Sequence, residues 1–372
     1  MFLVYIAVAI LALMFMITIH ELGHYLAAKA LKFRVTEFAI GFGKPIFKYT
    51  SKKTGEVFTI RMIPLGGFCA FEGQEDPIVG DKQRAECEKT EKPKLREDGT
   101  IPYDQQAPWK RLIVLFSGVF ANFVCGVVFC LILLMSIGYY QTVRITGVES
   151  GTTPAPNANY LVLEEGDIIT HVNGNKMSFL NGYSAQISKF GEGDVIELTI
   201  IRNGQEIKRE VSRGEFVSSE TGQTIKNSIG ISGMIDYDKV GFFEGVPKSF
   251  VFAGELALLI LNALGKMVTF QMSLSDMGGT FSTIAVMSSA VSANMLNLLI
   301  LIPLISINLA VFNLLPIPAL DGARMVFVTI EWIRGKPVNP DLENRIHMYG
   351  LLFLLGFVLL LDINFLIFQR LF

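Results

Sequence analysis

The 372-residue chain contains four histidines. Two of them, His20 and His24, stand four residues apart with Glu21 beside the first, in the stretch ITIHELGHYLA. On an α-helix that spacing stacks the two imidazoles one turn apart on one face. Such a pair can clamp a Zn²⁺ ion, and Glu21 is placed to act as general base on a metal-bound water. An HExxH pattern also arises by chance and on ordinary surface helices. The setting argues against chance, because Phe2 to Ile19 carry no charge and read as membrane-spanning. A carboxylate inside such a helix costs about 2.5–3.5 kcal/mol on insertion scales, so an ionisable cluster there marks a functional site by default.

Two histidines leave a catalytic zinc one protein ligand short. The strongest candidate for the third is Asp321 in FNLLPIPALDG, at the far end of another apolar segment. Taken alone, Asp321 reads equally well as an interfacial or helix-capping carboxylate in a Pro/Gly turn; beside HExxH the ligand reading is preferred. Glu37 and His347 are weaker alternatives, the first on an expected strand and the second without a paired motif. Pro316 and Pro318 must break the helix that carries them. A broken helix at membrane depth needs a protein or wet surrounding, and its exposed backbone, with the Asn313 amide, could hold an extended peptide beside the metal.

Stepping outward from these residues, half of the chain is hydrophobic, which indicates an integral membrane protein. Net charge is −2, so nothing points to nucleic acid as a partner. The first segment has no basic start and no small-residue cleavage site, so it does not read as a signal peptide. Cys69, Cys87, Cys125 and Cys130 lack CxxC spacing and read as reduced or buried residues.

Four transmembrane helices are expected, in 1–31, 112–140, 295–320 and 346–372. In 241–294, Lys248, Glu255, Asn262 and Lys266 share one helical face, which predicts an amphipathic helix lying in the interface. Gly118, Asn122 and Gly126 recur every four residues in the second span. The glycines favour close helix packing, and Asn122 can support the site. Lys and Arg flank residues 32–111 and 321–345, which places both segments in the cytoplasm and both termini outside.

Within 32–111, GFGKPIF, EVFTIRMI and PLGG predict short β-hairpins, followed by a polar linker over 72–108. Residues 141–240 form a separate outer module. In it, EEGD leads into IITHVNG, a helix is expected near 183–190, and Asn203-Gly204 signals a hairpin. His171 reads as an ordinary strand histidine. The fold class is thus an α-helical polytopic membrane protein with a cytoplasmic β-hairpin region and one extracytoplasmic α/β domain.

HELGH at 20–24, GFGKP at 41–45, IPLGGF at 63–68, the Gly118/Asn122 span, GDIITHVNG and NLLPIPALDG at 313–322 follow one another in this order. Together they make the chain resemble the site-2 protease family of intramembrane zinc metalloproteases, in particular bacterial RseP-type members with a single PDZ domain. The resemblance implies that His20, His24 and Asp321 bind Zn²⁺, that Glu21 activates water, and that Asn313, beside the exposed backbone of Pro316 and Pro318 read above, helps hold the substrate. It implies a membrane-associated hairpin around Gly66 and Gly67 that adds a substrate strand, and a PDZ-like module that filters substrates. It implies a multi-pass protein of the bacterial cytoplasmic (inner) membrane that cleaves transmembrane segments of single-span membrane proteins within the bilayer, such as anti-sigma factors or remnant signal peptides. Ala323-Arg324 after LDG and Gly278-Gly279 depart from the family's usual Gly-His and Gly-Pro. An ion-coupled transporter using the Glu/His/Asp cluster is the alternative, and the lack of an internal repeat counts against it. The sequence does not fix the oligomeric state.

Overall fold

A computed structural model describes residues 2–74, 99–149, 162–217, 224–271, 278–294 and 297–368. The chain divides into two units, Met1–Cys130 with Phe252–Phe372, and Leu131–Val251.

In the first unit, α1 (Phe2–Ala30) carries HELGH in its last third. At 29 residues it is about 43 Å long, ample for a hydrocarbon core of about 30 Å. Helix α2 (Pro108–Ser136) opens on a proline, which suits a first helical position because that N–H has no partner within the helix. Between them, β1 (Val35–Thr50) and β2 (Val57–Phe71) pair with each other. Residues 37–40 are paired on both sides, with 67–70 and with 57–60, while 45–50 pair with 57–61. Gly67–Phe71 therefore forms an outer edge of this sheet, and β2 packs against α1.

The cytoplasmic linker expected over 72–108 is corrected at its C-terminal end; residues 75–98 lie outside the described residues. Ile101 bridges Phe33, and Tyr103 is buried with its ring 5.7 Å from those of both Phe33 and Phe71. The polar composition concealed one aromatic anchor, which closes the loop onto the base of the hairpin. Burial pushes the Tyr103 phenol up, against the pull of Arg324 and Arg111.

The later helices differ from expectation. Helix α3 (Tyr183–Ile187) belongs to the second unit. Helix α4 (Phe242–Val268) is continuous over 27 residues with mean hydropathy 1.7 in its most apolar window, long and apolar enough to cross a membrane. Its four spaced polar residues gave the expectation of an interfacial helix, and its length and hydropathy are also those of a span. Helix α5 (Thr280–Ala293) packs on α1. The span expected at 295–320 is instead the 17-residue α6 (Leu298–Leu314), which ends before Pro316 because a residue preceding proline is driven out of the helical region. The loop expected at 321–345 begins with another helix, α7 (Asp321–Arg334), stopped by left-handed Gly335. Helix α8 (Pro340–Phe368) starts six residues before the expected span. Among the described residues, α1, α2, α4 and α8 have crossing length and hydropathy.

The second unit contains β3 (Tyr140–Val148), β4 (Ile168–Val172), β5 (Asn175–Lys176), β6 (Val195–Arg202), β7 (Gln205–Ser212), β8 (Gly214–Val217), β9 (Thr224–Ser228) and β10 (Ile231–Asp238). The main sheet runs β10-β3-β4-β6-β7, with β5 paired to β4, and β8 and β9 form a separate pair. Asn203 and Gly204 both take positive φ in the β6–β7 turn, as a two-residue hairpin of this type requires. His171 sits on β4, its Nδ1 2.9 Å from the Thr170 hydroxyl. Val143, Ile145, Ile169, Ile196, Leu198 and Ile200 form the heart of the core.

The EEGD stretch is explained by Asp167, which is buried and takes two 2.8 Å hydrogen bonds from Arg202 and one of 2.9 Å from the Glu164 N–H. Burial pushes its carboxyl up, but these donors outweigh burial and hold it below the ordinary aspartate value. A depressed carboxyl contributes stability that is complete above about pH 4 and is lost as pH falls through the folded-state value. Asp167→Asn is expected to lower the opening free energy of the β4 and β6 amides by about 2 kcal/mol at neutral pH. Hydrogen exchange on the intact protein reads this, and the gap between variant and wild type should narrow as pH falls through the folded-state value.

Candidate metal centre

The helical spacing of HELGH brings His20 and His24 together as expected, with ring centroids 4.7 Å apart and planes at 90°. Their Nε2 atoms lie 3.1 Å from each other. The Asp321 carboxylate completes the group, with one oxygen 2.9 Å from His20 Nε2 and 3.2 Å from His24 Nε2. The three ligand atoms lie within 4.8 Å of one another. Both histidines are buried and Asp321 is partly covered.

Helix α2 lies across the two rings and explains how they are held. The His24 Nδ1–H donates to the Val114 carbonyl at 2.8 Å, so in the neutral ring the Nε2 lone pair points toward Asp321. Gly118 follows one turn later; a Cβ there would lie 2.4 Å from His24 Nε2 and 2.9 Å from His20 Cε1. Asn122, another turn on, has its amide nitrogen 3.4 Å from His20 Nδ1. Gly23 allows the same approach from α1, since a Cβ there would meet the Ser117 carbonyl at 2.4 Å.

Asp321 arrives by a sharp turn. Leu315 is extended, with φ −69° and ψ 146°, and Ala319 takes φ +79°. A Cβ on Gly322 would stand 2.2 Å from the Leu315 carbonyl oxygen, so only glycine lets α7 begin this close to the end of α6. Helix α8 braces the turn. His347 Nδ1 accepts the Ala319 N–H at 3.0 Å, and Gly350 lies so close to Pro318 that an added Cβ would come within 2.3 Å of it. His347, weighed as a ligand, therefore holds the turn. Glu37 instead accepts from the Thr59 hydroxyl at 2.6 Å and from Arg61 at 2.7 Å.

Glu21 accepts a hydrogen bond from the Cys69 backbone N–H, on the outer edge of the β1–β2 sheet. Gly67 lies on the same edge, where a Cβ would be 3.2 Å from Glu21 Cγ. Gly66 has φ +113° and sits against the Phe42 ring. Asn313 is on the last turn of α6, and Pro316 and Pro318 lie in the turn beyond it. None of these three takes part in the hydrogen bonds that join the His–His–Asp group. Sequence reasoning missed the Val114 carbonyl, the Cys69 N–H, the bracing role of His347 and the space-making role of Gly23. The small-residue spacing of 118 and 122 was the one signal that pointed to α2.

Two neutral imidazoles and one carboxylate that leave a further position open are the donor set of a catalytic zinc site. The cradle at Gly118 keeps that space clear of side-chain atoms. A model of peptidase family M50 matches residues 8–357. The zinc metalloprotease RasP of Shouchella clausii is 27% identical, the match covering 90% of this chain and 92% of that one. RasP of Oceanobacillus iheyensis is 28% identical over 96% and 97% of the two chains. A Clostridium perfringens protein provisionally named a zinc metalloprotease is 30% identical over 98% and 99%.

The cradle makes Gly118→Ala a severe change for a single methyl group. Overpacking between α1 and α2 is expected to cost about 1–3 kcal/mol and to turn both rings away from Asp321. Elemental analysis of the purified protein should show zinc content falling at least roughly tenfold, since donor geometry sets affinity.

Proposed function

The chain belongs to peptidase family M50 and is a zinc metalloprotease with, among the described residues, four helices long and apolar enough to cross a membrane, and on that footing we propose that His20, His24 and Asp321 hold the zinc and that Glu21 is the general base for peptide hydrolysis within the bilayer. The observation that carries this reading is the convergence of the three donors, two from α1 and one from the start of α7, within 4.8 Å.

Bound there, the zinc would polarise the scissile carbonyl and make its water easier to deprotonate. The rest falls to the chain's own residues. Glu21 neighbours His20 in sequence and is held by the Cys69 N–H, so its carboxylate is oriented to take a proton from the attacking water and pass it to the leaving amine. A peptide bond inside a helix is shielded, so the substrate must be unwound before attack. Two stretches of backbone can hold it extended: the sheet edge at Gly66, Gly67 and Cys69, and the Pro316–Pro318 turn with Asn313 before it. Water is available to such irregular backbone only where it lines a protein cavity.

Substrates in this reading are single-span membrane proteins of a bacterial cytoplasmic membrane. The site faces the cytoplasmic side, both termini lie outside, and the 141–240 module is a PDZ-like filter that admits substrates already trimmed on the outer side.

Glu21→Gln tests the assignment of the base. The variant is expected to keep about one zinc per chain while cleavage of a transmembrane substrate falls by about 10²–10⁴-fold; activity at the wild-type level would overturn it. The filter is tested separately, with one transmembrane substrate carrying outer domains of graded size. Cleavage should decline as the domain grows, and equal cleavage at every size would sink that part of the reading.

A further inference from the structure

Asn122 is fully buried on α2, at 0% exposure. Its amide nitrogen faces His20 Nδ1 at 3.4 Å, and its amide oxygen, also buried, has no hydrogen-bond partner among the described residues. When His20 offers the Nε2 lone pair to a metal, the neutral ring carries its hydrogen on Nδ1. An amide NH₂ facing that position would set donor against donor. The two orientations of an amide differ by a half-turn about its last torsion and are distinguished by the surrounding hydrogen bonds. The half-turn brings the amide oxygen to Nδ1, where it accepts the ring hydrogen and gains the partner it lacks.

Resting on the zinc-site reading above, we propose that Asn122 is the positioning residue for His20: its side-chain carbonyl accepts the Nδ1 hydrogen, fixes the ring, and presents Nε2 to the zinc. Helix α2 then serves both ligands by one device. Val114 supplies a backbone carbonyl to His24, Asn122 supplies a side-chain carbonyl to His20, and Gly118 between them leaves room for both rings. A helix carbonyl has two lone pairs, so the Val114 oxygen can accept from a ring as well as from its own helix. The carrier is fixed in turn, since the buried Ser306 hydroxyl on α6 donates to the Asn122 backbone carbonyl at 2.8 Å. Acceptors of this kind on ligating histidines are worth about 10–100-fold in metal affinity.

The test is zinc affinity of the intact, detergent-purified protein, measured by chelator competition, with the visible spectrum of the cobalt-substituted form as a second readout. Asn122→Leu keeps the volume and removes the acceptor; zinc should bind about 10–100-fold more weakly and the cobalt spectrum should change. Asn122→Asp keeps an acceptor and removes the donor; zinc should bind at least as tightly as to wild type. Wild-type affinity in Asn122→Leu, or an equal loss in both variants, would overturn the proposal. If the leucine variant does not fold, the aspartate variant decides alone, because loss of affinity there contradicts an acceptor role. Asp321→Ala separates the two levels of the argument. Should it bind zinc like wild type, the ligand assignment fails and this inference with it. Should it lose zinc while Asn122→Leu keeps it, only the role of Asn122 is refuted.

Discussion

Because Gly23 and Gly118 carry no side chains, α1 and α2 approach until the backbone of one lies against the residues of the other, and the site is built in that gap. A Cβ at Gly23 would sit 2.4 Å from a carbonyl oxygen of α2, and one at Gly118 at the same distance from His24 Nε2 of α1. Small residues are how helices come close in an apolar medium, where burial offers little drive for association and van der Waals contact supplies most of it. The approach does more than pack. It brings the Val114 carbonyl to His24 Nδ1 and the Asn122 amide to His20 Nδ1, so the face that joins the helices also lies against both rings. The same row continues to Gly126, where a Cβ would meet Ile307 of α6 at 2.6 Å.

Asp321 reaches this gap along a backbone that breaks helical geometry. Pro316 and Pro318 end α6 at the cost of carbonyls left without helical partners. Ala319 adopts a left-handed conformation, which costs a non-glycine residue about 1–2 kcal/mol. Such a turn persists only where its surroundings over-determine it. Here His347 takes the Ala319 N–H and Gly350 lets α8 close on Pro318. Asp321, at the start of α7, is therefore placed by α8, and α8 contributes no donor of its own to the His–His–Asp group.

What could be read from the sequence divides along this line. His20, Glu21 and His24 were legible because their relation is local: a four-residue spacing on one helix fixes the faces. Asp321 was legible as a candidate because prolines announce a break and a carboxylate follows it. The Asn203-Gly204 hairpin and the strands around 57–71 follow from turn chemistry and alternation. Contacts between elements carry no such signature. Nothing in the spacing of His347 shows that it faces Ala319, and nothing in PLGGFCAF shows that the Cys69 N–H meets Glu21. The third span was drawn through the break that Pro316 and Pro318 announce, whereas the helix itself covers only the 17 residues before them. Four polar residues made α4 look interfacial although its length and hydropathy suffice to cross.

The charge of the site accounts for its position as much as for its chemistry. Glu21 and Asp321 are both within electrostatic reach of His20 and His24, so with both carboxylates ionised and both imidazoles neutral the group carries two negative charges. Leaving even one such charge in a low-dielectric surrounding costs several kcal/mol after relaxation, more than the margin on which a single element of a fold depends. A divalent cation bound by this set brings the sum to zero without protonating either carboxylate. Metal binding and burial therefore favour each other: the cation removes the penalty of placing two acids at this depth, and the depth strengthens each donor's hold on the cation. On the proposed reading of Glu21 as the base, a carboxylate that must stay ionised can thus be kept in an apolar helix, provided the ion and the second carboxylate arrive together.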